Sequence, residues 1–140
     1  MKLSYVVVAK VAQTDLAEVL SGNKRGIRFV ETYTTTKDTN HIIQPSGRQI
    51  AQACHATAAM ENSVLLDSSS LTRIVLQARD SMELVHVHRL LSKAGVKSYR
   101  FWDTNDNAYG EGKAVLTALA TEPVTKQKVQ GILDYLPLWF

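Results

Sequence analysis

The sequence predicts a single α/β domain in which helices pack on the faces of a mixed sheet of about four to five strands. Short apolar runs rich in β-branched residues alternate with segments that repeat apolar residues at helical spacing. The chain has 140 residues, which is long enough for one domain with a buried core. Its hydrophobic content of 45% and its charged content of 21% are those of a globular protein.

The N-terminal part combines one clear strand with a long excursion. Tyr5–Ala9 is a short apolar run typical of a strand buried on both faces. The excursion covers about residues 11–45 and is interpreted as an insertion in one domain spanning residues 1–140. Within it, Asp15–Leu20 has the composition of a short helix and Ile27–Thr36 that of a strand. We therefore expect a hairpin-like or lid-like structure here.

The stretch Ser46–Met60, which is rich in alanine, predicts a helix. Ser46 and Gln49 have the spacing of a capping box, so this helix is expected to begin at Gly47. One face of the predicted helix is small and mainly apolar. Its members are Ile50, Ala53, Cys54 and Thr57.

The opposite side of this helix carries a polar stripe. At about 100° per residue, Arg48, Gln52 and His55 fall on one line. Most such stripes are solvated surfaces, but these three residue types supply directional hydrogen-bond donors. The helix start at Gly47, Arg48 and Gln49 could also hold a phosphate or a developing oxyanion. The stripe is therefore either a plain surface or one wall of a site.

The C-terminal half predicts further strands and helices. Asp80 is expected to cap a helix, with Glu83 three residues later and Gly95 at the helix end. A final helix is expected to stop at Pro137. The three expected strands are Leu71–Ala78, Val96–Trp102 and Ala114–Thr121, and the final helix is Thr125–Leu136.

The loop Asp103–Gly112 directly follows the predicted strand Val96–Trp102. Ligands of open α/β sheets gather at strand ends, so this polar loop is a candidate site. Asp103 could be a general base or orient a water, and it could equally form a turn. Aromatic residues near the loop could stack on bases or pack in the core. They are Tyr99, Phe101, Trp102 and Tyr109.

Several classes of protein and site are excluded or not favoured by the sequence. His86 and His88 point in different directions on a helix, so no metal site and no cofactor is expected. No apolar segment is long enough to span a membrane, and the N-terminus does not read as a signal peptide. The single cysteine, Cys54, is expected to be buried and structural, which fits a reducing, cytoplasmic location. A net charge of +3 permits an anionic partner without requiring one.

Taken together, the helix and loop motifs resemble the type 2 peptidyl-tRNA hydrolase family. Gly47–Ala56 reads GRQIAQACHA and is similar to the Gly-Lys-x-Ala-Ala-Gln-x-x-His-Ala helix of that family. Trp102-Asp103 fits its aspartate after a strand, and Leu116–Ala120 with Pro123 fits its Val-Thr-Val-Leu-Ala-type strand closed by proline. The Ala-Gln-Ala-Cys-His-Ala run is also found in a divergent branch, the peptidyl-tRNA hydrolase domain-containing proteins.

The resemblance implies a metal-independent hydrolase that cleaves the ester between a peptide and the terminal ribose of tRNA. It also implies tRNA as the partner and a possible homodimer. The implied catalytic residues are Asp103, Arg48 and Thr117. The implied substrate-binding residues are Gln52, His55, Asn107 and Gly47. In this interpretation Asp103 positions or deprotonates water, Arg48 stabilises the oxyanion, and Thr117 with Asn107 fixes the geometry.

Two other functions stay open at the level of the sequence. Arg48 stands where the family has lysine, and Asn107 is the residue nearest to the threonine expected in the loop. These differences are compatible with a catalytically weak or inactive RNA- or protein-binding module of the same fold. An ester or amide hydrolase that acts on another small aminoacyl substrate is the third possibility.

Overall fold

The computed structural model describes residues 2–21, 41–63, 72–105 and 109–139. In these residues six strands form one mixed sheet, and helices lie on both of its faces. The predicted α/β fold is therefore confirmed. Two very short strands raise the count slightly above the expected number.

The first strand, β1 (Lys2–Gln13), is the centre of the sheet. One of its edges pairs in parallel with β3 (Thr72–Asp80). Its other edge pairs antiparallel with three strands in turn. They are β6 (Val124–Thr125), β5 (Ala114–Thr121) and β2 (His41–Ile43). On the far side of β5, β4 (Ser98–Thr104) pairs antiparallel with it.

The middle of β1 is buried on both faces, as predicted for Tyr5–Ala9. Val6 and Val8 pack on one face with Ala56 and Met60 of the helix α2 (Ser46–Ser63). Val7 and its neighbours on the other face pack against α3 (Ser81–Lys93). A strand covered by a helix on each face needs an unbroken apolar run, because neither set of alternate side chains meets water.

Local sequence signals correctly predict two of the helices. The short helix α1 (Leu16–Leu20) lies within the predicted stretch Asp15–Leu20. At the start of α3, the Asp80 side chain accepts a hydrogen bond of 2.8 Å from the backbone N–H of Glu83. The Glu83 carboxylate in turn accepts a bond of 2.9 Å from the backbone N–H of Arg79. The predicted strand Ile27–Thr36 lies outside the described residues.

The start of α2 differs from the predicted capping box. The helix includes Ser46. The Gln49 backbone N–H donates to the carbonyl of Pro45 at 3.0 Å, and the Gln49 side-chain amide donates to the carbonyl of Gln44 at 2.8 Å. Gln49 therefore binds residues before the helix instead of returning to Ser46.

The predicted final helix Thr125–Leu136 is wrong. A 3₁₀ helix spans Lys126–Val129, and turns follow it. Gly131 has a φ of +82°, a left-handed conformation that a continuous helix does not contain. The apolar residues of the predicted face are still buried or packed against the core, because the turns direct them inward. They are Val129, Ile132, Leu133 and Leu136.

The last residues fold back onto β3. The Gln77 N–H donates to the carbonyl of Pro137, and the Trp139 N–H donates to the carbonyl of Val75, each at 2.9 Å. Leu138 thereby forms a bridge with Leu76. The segment covers the outer edge of β3, which would otherwise expose unpaired backbone groups.

Candidate active site

Asp103 lies near the end of β4, on the side of the sheet that faces α2. One carboxylate oxygen, Oδ2, accepts two hydrogen bonds. The Gln52 side-chain amide donates to it at 2.8 Å and the Tyr109 hydroxyl at 2.9 Å. Among the described residues, none donates to the other oxygen, Oδ1. Within the described residues, the carboxylate is thus held at one of its two oxygens.

The polar stripe on α2 divides into three different environments. Gln52 is only 3% exposed and binds Asp103, so at this point the stripe is not a solvated surface. Arg48, one turn earlier, is half-buried, and its Cζ atom lies 6.0 Å from the centre of the Tyr109 ring. His55, one turn later, is exposed and stacks on Phe101 with ring centres 4.7 Å apart. The stripe therefore leads from the aromatic contact of the exposed His55 to the part-buried contact of Gln52 with Asp103, and then to the cation Arg48.

Tyr109 is the residue that connects Asp103 with Arg48. It is only 4% exposed and packs with Ala12, Ile42 and Val115. Burial, together with the hydrogen bond to Asp103 and its negative charge, raises the pKa of Tyr109 to about 12, although the nearby Arg48 opposes the shift. The hydroxyl consequently stays protonated and remains a hydrogen-bond donor at neutral pH.

Thr117 lies in an irregular part of β5. Phe101 pairs with Ala118 and Trp102 with Leu116, so Thr117 is the extra residue of a β-bulge opposite β4. It is fully buried, and its hydroxyl oxygen has no hydrogen-bond partner in the described part of the chain. The side-chain oxygen of Gln52 is buried and unpartnered in the same way. Unpaired buried polar atoms are rare in proteins, so these two oxygens distinguish this part of the structure from an ordinary core.

The remaining predicted site residues differ in what the structure says about them. Gly47 is exposed in the first turn of α2, and a Cβ atom placed on it would meet nothing within 4 Å. Close approach of the protein's own atoms therefore does not require glycine there. Asn107 lies outside the described residues.

Two roles in this region were not predicted from the sequence. Tyr109 was expected only to stack on bases or to pack in the core, and its bond to Asp103 depends on how the loop after β4 returns. Gln49 was placed at a phosphate-binding helix start, but its side-chain oxygen accepts bonds from Gln77 at 2.9 Å and from the Trp139 indole at 2.7 Å. Gln49 therefore fastens the C-terminal segment and is turned away from Asp103.

The other flank of α2 lines a groove of about 450 Å³ over β1 and β3. Ile50, Ala53, Cys54 and Thr57 line it, as members of the predicted small face. Cys54 is exposed, so the expectation of a buried cysteine is wrong. A thiol on the groove side of a helix meets solvent here because the sheet does not close against it.

The described part of the chain lacks two further features, a metal-binding cluster and a membrane-spanning helix. No group of three His, Cys, Asp or Glu side chains there could hold a metal ion. None of its helices is both long and apolar enough to cross a membrane.

Comparison with known proteins shows which family the chain is related to. The profile of the family described as "Peptidyl-tRNA hydrolase PTH2" matches residues 40–139, which include α2, β4 and β5. A protein of Dictyostelium discoideum named "probable peptidyl-tRNA hydrolase 2" is 31% identical over 102 residues. That alignment covers 66% of this chain and 48% of the relative, so the chain spans about half the length of that relative. Since the family match covers most of its 140 residues, the chain belongs to the peptidyl-tRNA hydrolase PTH2 family.

Proposed function

We propose that the protein hydrolyses the ester between a peptide and the terminal ribose of tRNA. The observation that carries the proposal is Asp103, whose Oδ2 is held by Gln52 and Tyr109 while Oδ1 is without a described donor. A carboxylate fixed in this manner suits general-base chemistry, because its free oxygen keeps one orientation toward a water molecule. The name of the Dictyostelium relative supports the same substrate class.

In the proposed reaction, Asp103 Oδ1 takes a proton from a water molecule as that water attacks the ester carbonyl carbon. The new carbon–oxygen bond gives a tetrahedral oxyanion. When this intermediate collapses, the bond between the carbonyl carbon and the ribose oxygen breaks. Asp103 returns the proton to that ribose oxygen, so the products are a peptide carboxylic acid and a tRNA with a free hydroxyl.

Arg48 and the start of α2 are the groups that we propose stabilise the oxyanion. Arginine carries a delocalised positive charge, and the Cζ atom of Arg48 lies 6.0 Å from the centre of the Tyr109 ring, whose hydroxyl donates to Asp103. The first backbone N–H groups of α2, including that of Gly47, add a partial positive charge. A lost oxyanion donor typically costs about 3 kcal/mol of transition-state stabilisation.

Thr117 and Gln52 have supporting roles in this proposal. Their two buried oxygen atoms without described partners suit an ordered water that fixes the geometry around Asp103. His55, stacked on Phe101 at the exposed end of the stripe, would contact the substrate outside the reacting centre. Asn107 keeps the substrate-binding role that the resemblance implies.

The test is single-turnover cleavage of a model peptidyl-tRNA by the wild type and by Asp103→Asn. General-base assistance contributes about 10²–10⁴-fold, so the variant is expected to lose a factor in this range while its affinity for tRNA stays similar. Glu111→Gln is the matched control, because it removes one exposed carboxylate from the same loop. Cleavage by Asp103→Asn at the wild-type rate would contradict the assignment.

The alternative function is an RNA- or protein-binding module of the same fold with weak or no catalysis. Arg48 favours it, because arginine cannot supply the neutral amine or the compact ammonium of the family's lysine. Binding of uncharged tRNA without cleavage of peptidyl-tRNA would support this alternative. Cleavage of small aminoacyl esters but not of peptidyl-tRNA would indicate the third function.

Location and assembly belong to the same proposal. Peptidyl-tRNA arises where ribosomes work, so a cytoplasmic location follows from the proposed substrate. The homodimer implied by the family resemblance is tested by sedimentation of the purified protein at several concentrations.

A further inference from the structure

Four exposed cations lie together where α3 ends and β4 begins. Arg89, Lys93, Lys97 and Arg100 fall within the twelve residues 89–100, and all four side chains are exposed. We call these four residues the α3–β4 basic surface. It lies at the opposite end of β4 from Asp103 and takes no part in the chemistry proposed above.

The end of α3 and the start of β4, which carry these cations, are in contact at one histidine. Burial lowers the pKa of His88, and the positive charges of Arg100 and Arg89 lower it further. Nδ1 of His88 also lies 2.6 Å from the hydroxyl oxygen of Ser98. A depression of about 460 Å³ opens here, lined by polar groups that include His88, Ser92, Lys97 and Ser98.

The charge of the surface is not balanced by carboxylates of the described residues. Glu122 is the acidic residue bonded here, and its carboxylate accepts only the backbone N–H of Lys97, at 3.1 Å. Within the described residues, an ion pair joins Arg73 to Glu61, elsewhere in the fold. Uncompensated positive charge of this kind raises the local concentration of anions.

Ordinary structural roles explain only part of this arrangement. Lys93 lies in the last turn of α3, where a cation interacts favourably with the helix dipole. Lys97 and Arg100 could discourage pairing at the edge of the sheet, because β5 is the partner of β4 within the described residues. Neither role applies to the exposed Arg89 of α3.

The position of the surface relative to Asp103 suits a nucleic acid strand. Arg100 and Asp103 are three residues apart on β4, which corresponds to about 10 Å along the strand. Phosphates along one strand of a nucleic acid duplex are separated by about 3.4 Å of rise. A chain of phosphates that starts at Asp103 therefore reaches Arg100 within a few nucleotides.

We propose that the α3–β4 basic surface binds the phosphates of the tRNA stem next to its peptide-bearing end. The proposal rests on the proposed function, which puts that end at Asp103. The outer edge of β4, between the two regions, gives the RNA a path from one face of the sheet to the other.

The test compares two charge-reversed variants with equal changes in net charge. Arg89→Glu/Arg100→Glu alters the proposed surface, and Lys126→Glu/Lys128→Glu alters an exposed pair on the 3₁₀ helix. The affinity for uncharged tRNA is measured over a range of salt concentrations. Each lost phosphate contact reduces the slope of log K against log salt by about 0.7–0.9, so the first variant is expected to lose about 1.4–1.8 of the slope and at least about 10-fold in affinity. The control variant is expected to retain the wild-type slope.

Three further results would support or contradict the proposal. Equal losses of tRNA affinity and slope in both variants would contradict a specific role of the surface, because they would report only net charge. Arg89→Gln/Arg100→Gln, a milder change at exposed positions, is expected to lose the same slope, and circular dichroism checks that each variant is folded. A loss of kcat/KM in Arg89→Glu/Arg100→Glu that is larger on peptidyl-tRNA than on a peptidyl ester of the terminal trinucleotide supports the proposed surface further.

Failure of this proposal and failure of the hydrolase function give different results. A wild type that binds tRNA through the surface but leaves the ester intact contradicts the hydrolase and supports the surface. A wild type that cleaves the ester, with the first variant binding as tightly as the control variant, contradicts the surface and supports the hydrolase.

Discussion

At the scale of single residues, the candidate site depends on how one carboxylate is held. Gln52 and Tyr109 donate to the same oxygen of Asp103 from two different elements, a helix and a loop. Two donors on Oδ2 restrict rotation of the carboxylate and so fix the direction of Oδ1. In this arrangement Tyr109 is a positioning residue, because it acts through Asp103.

Tyr109→Phe removes the hydroxyl and keeps the ring that packs with Ala12 and Ile42. Hydrogen bonds to charged groups contribute about 1.5–3 kcal/mol, and Gln52 still holds the carboxylate, so we expect kcat to fall about 10-fold. KM is expected to change little, since the lost bond does not involve the substrate. Single-turnover and steady-state rates on peptidyl-tRNA measure both quantities.

Tyr135→Phe is the matched control, because Tyr135 is 52% exposed and lies on the C-terminal segment. Equal rates for Tyr109→Phe and the wild type would contradict the positioning role. A loss confined to KM would contradict it as well.

The same variant has a signature at high pH. The folded pKa of Tyr109, about 12, lies above the ordinary value of 10.0, so the folded state keeps a proton that the unfolded state releases. The stability linked to this proton is complete below pH 10.0 and is lost as the pH rises through about 12. Tyr109→Phe is therefore expected to unfold less steeply with pH in this range, as measured by urea unfolding.

At the scale of elements, α2 serves two surfaces at once. Gln52 points to Asp103, whereas Gln49 points to β3 and the C-terminal segment. The sequence pattern correctly places Gln52 and the small residues that line the groove on different faces of α2, since helical periodicity is a local property. It does not predict the partners of Gln49, because Gln77 and Trp139 are distant in the chain.

Gln49→Leu tests this link between α2 and the C-terminal segment. The substitution leaves the amide of Gln77 and the indole N–H of Trp139 without their shared acceptor. An unsatisfied buried donor costs about 1–3 kcal/mol, so we expect the free energy of unfolding to fall by about 2–3 kcal/mol. Urea unfolding measures the change.

Gln130→Leu is the control for this experiment, because Gln130 is an exposed glutamine in the same C-terminal part. It is expected to stay within about 0.5 kcal/mol of the wild type. A similar free energy for Gln49→Leu and the wild type would show that water replaces the lost acceptor at no cost.

At the scale of the whole molecule, the sequence predicts the order of elements better than their junctions. Buried strands and the capped helix α3 have strong local signals, and these elements form as predicted. The final helix fails, because Gly131 and the contacts of the apolar residues with the sheet outweigh helical periodicity. Asp103 and Gln52, which the sequence singles out as candidates, are hydrogen-bonded to each other. The bond of Tyr109 to Asp103 is not predicted, since the position of Tyr109 depends on packing against β1 and β2.

That packing joins the N-terminal excursion to the site in the C-terminal half. Ala12 at the end of β1 and Ile42 in β2 pack with Tyr109 and Val115. The long extension of β1 beyond Ala9 therefore supports the ring that donates to Asp103. A substitution in this small cluster is expected to alter the position of the Asp103 carboxylate only by moving Tyr109.

A double-mutant cycle tests this coupling. Ile42→Ala removes part of the support of Tyr109, so we expect it to slow cleavage of peptidyl-tRNA several-fold in the wild-type background. In the Tyr109→Phe background the same change is expected to have a smaller effect, since the hydroxyl whose position it disturbs is already absent. Contacting residues typically give coupling energies of about 0.5–3 kcal/mol.

Ile74→Ala is the control, because Ile74 is also partly buried but packs against the cluster on the α3 face. It is expected to act equally in both backgrounds, and additive effects of Ile42→Ala and Tyr109→Phe would contradict the proposed connection.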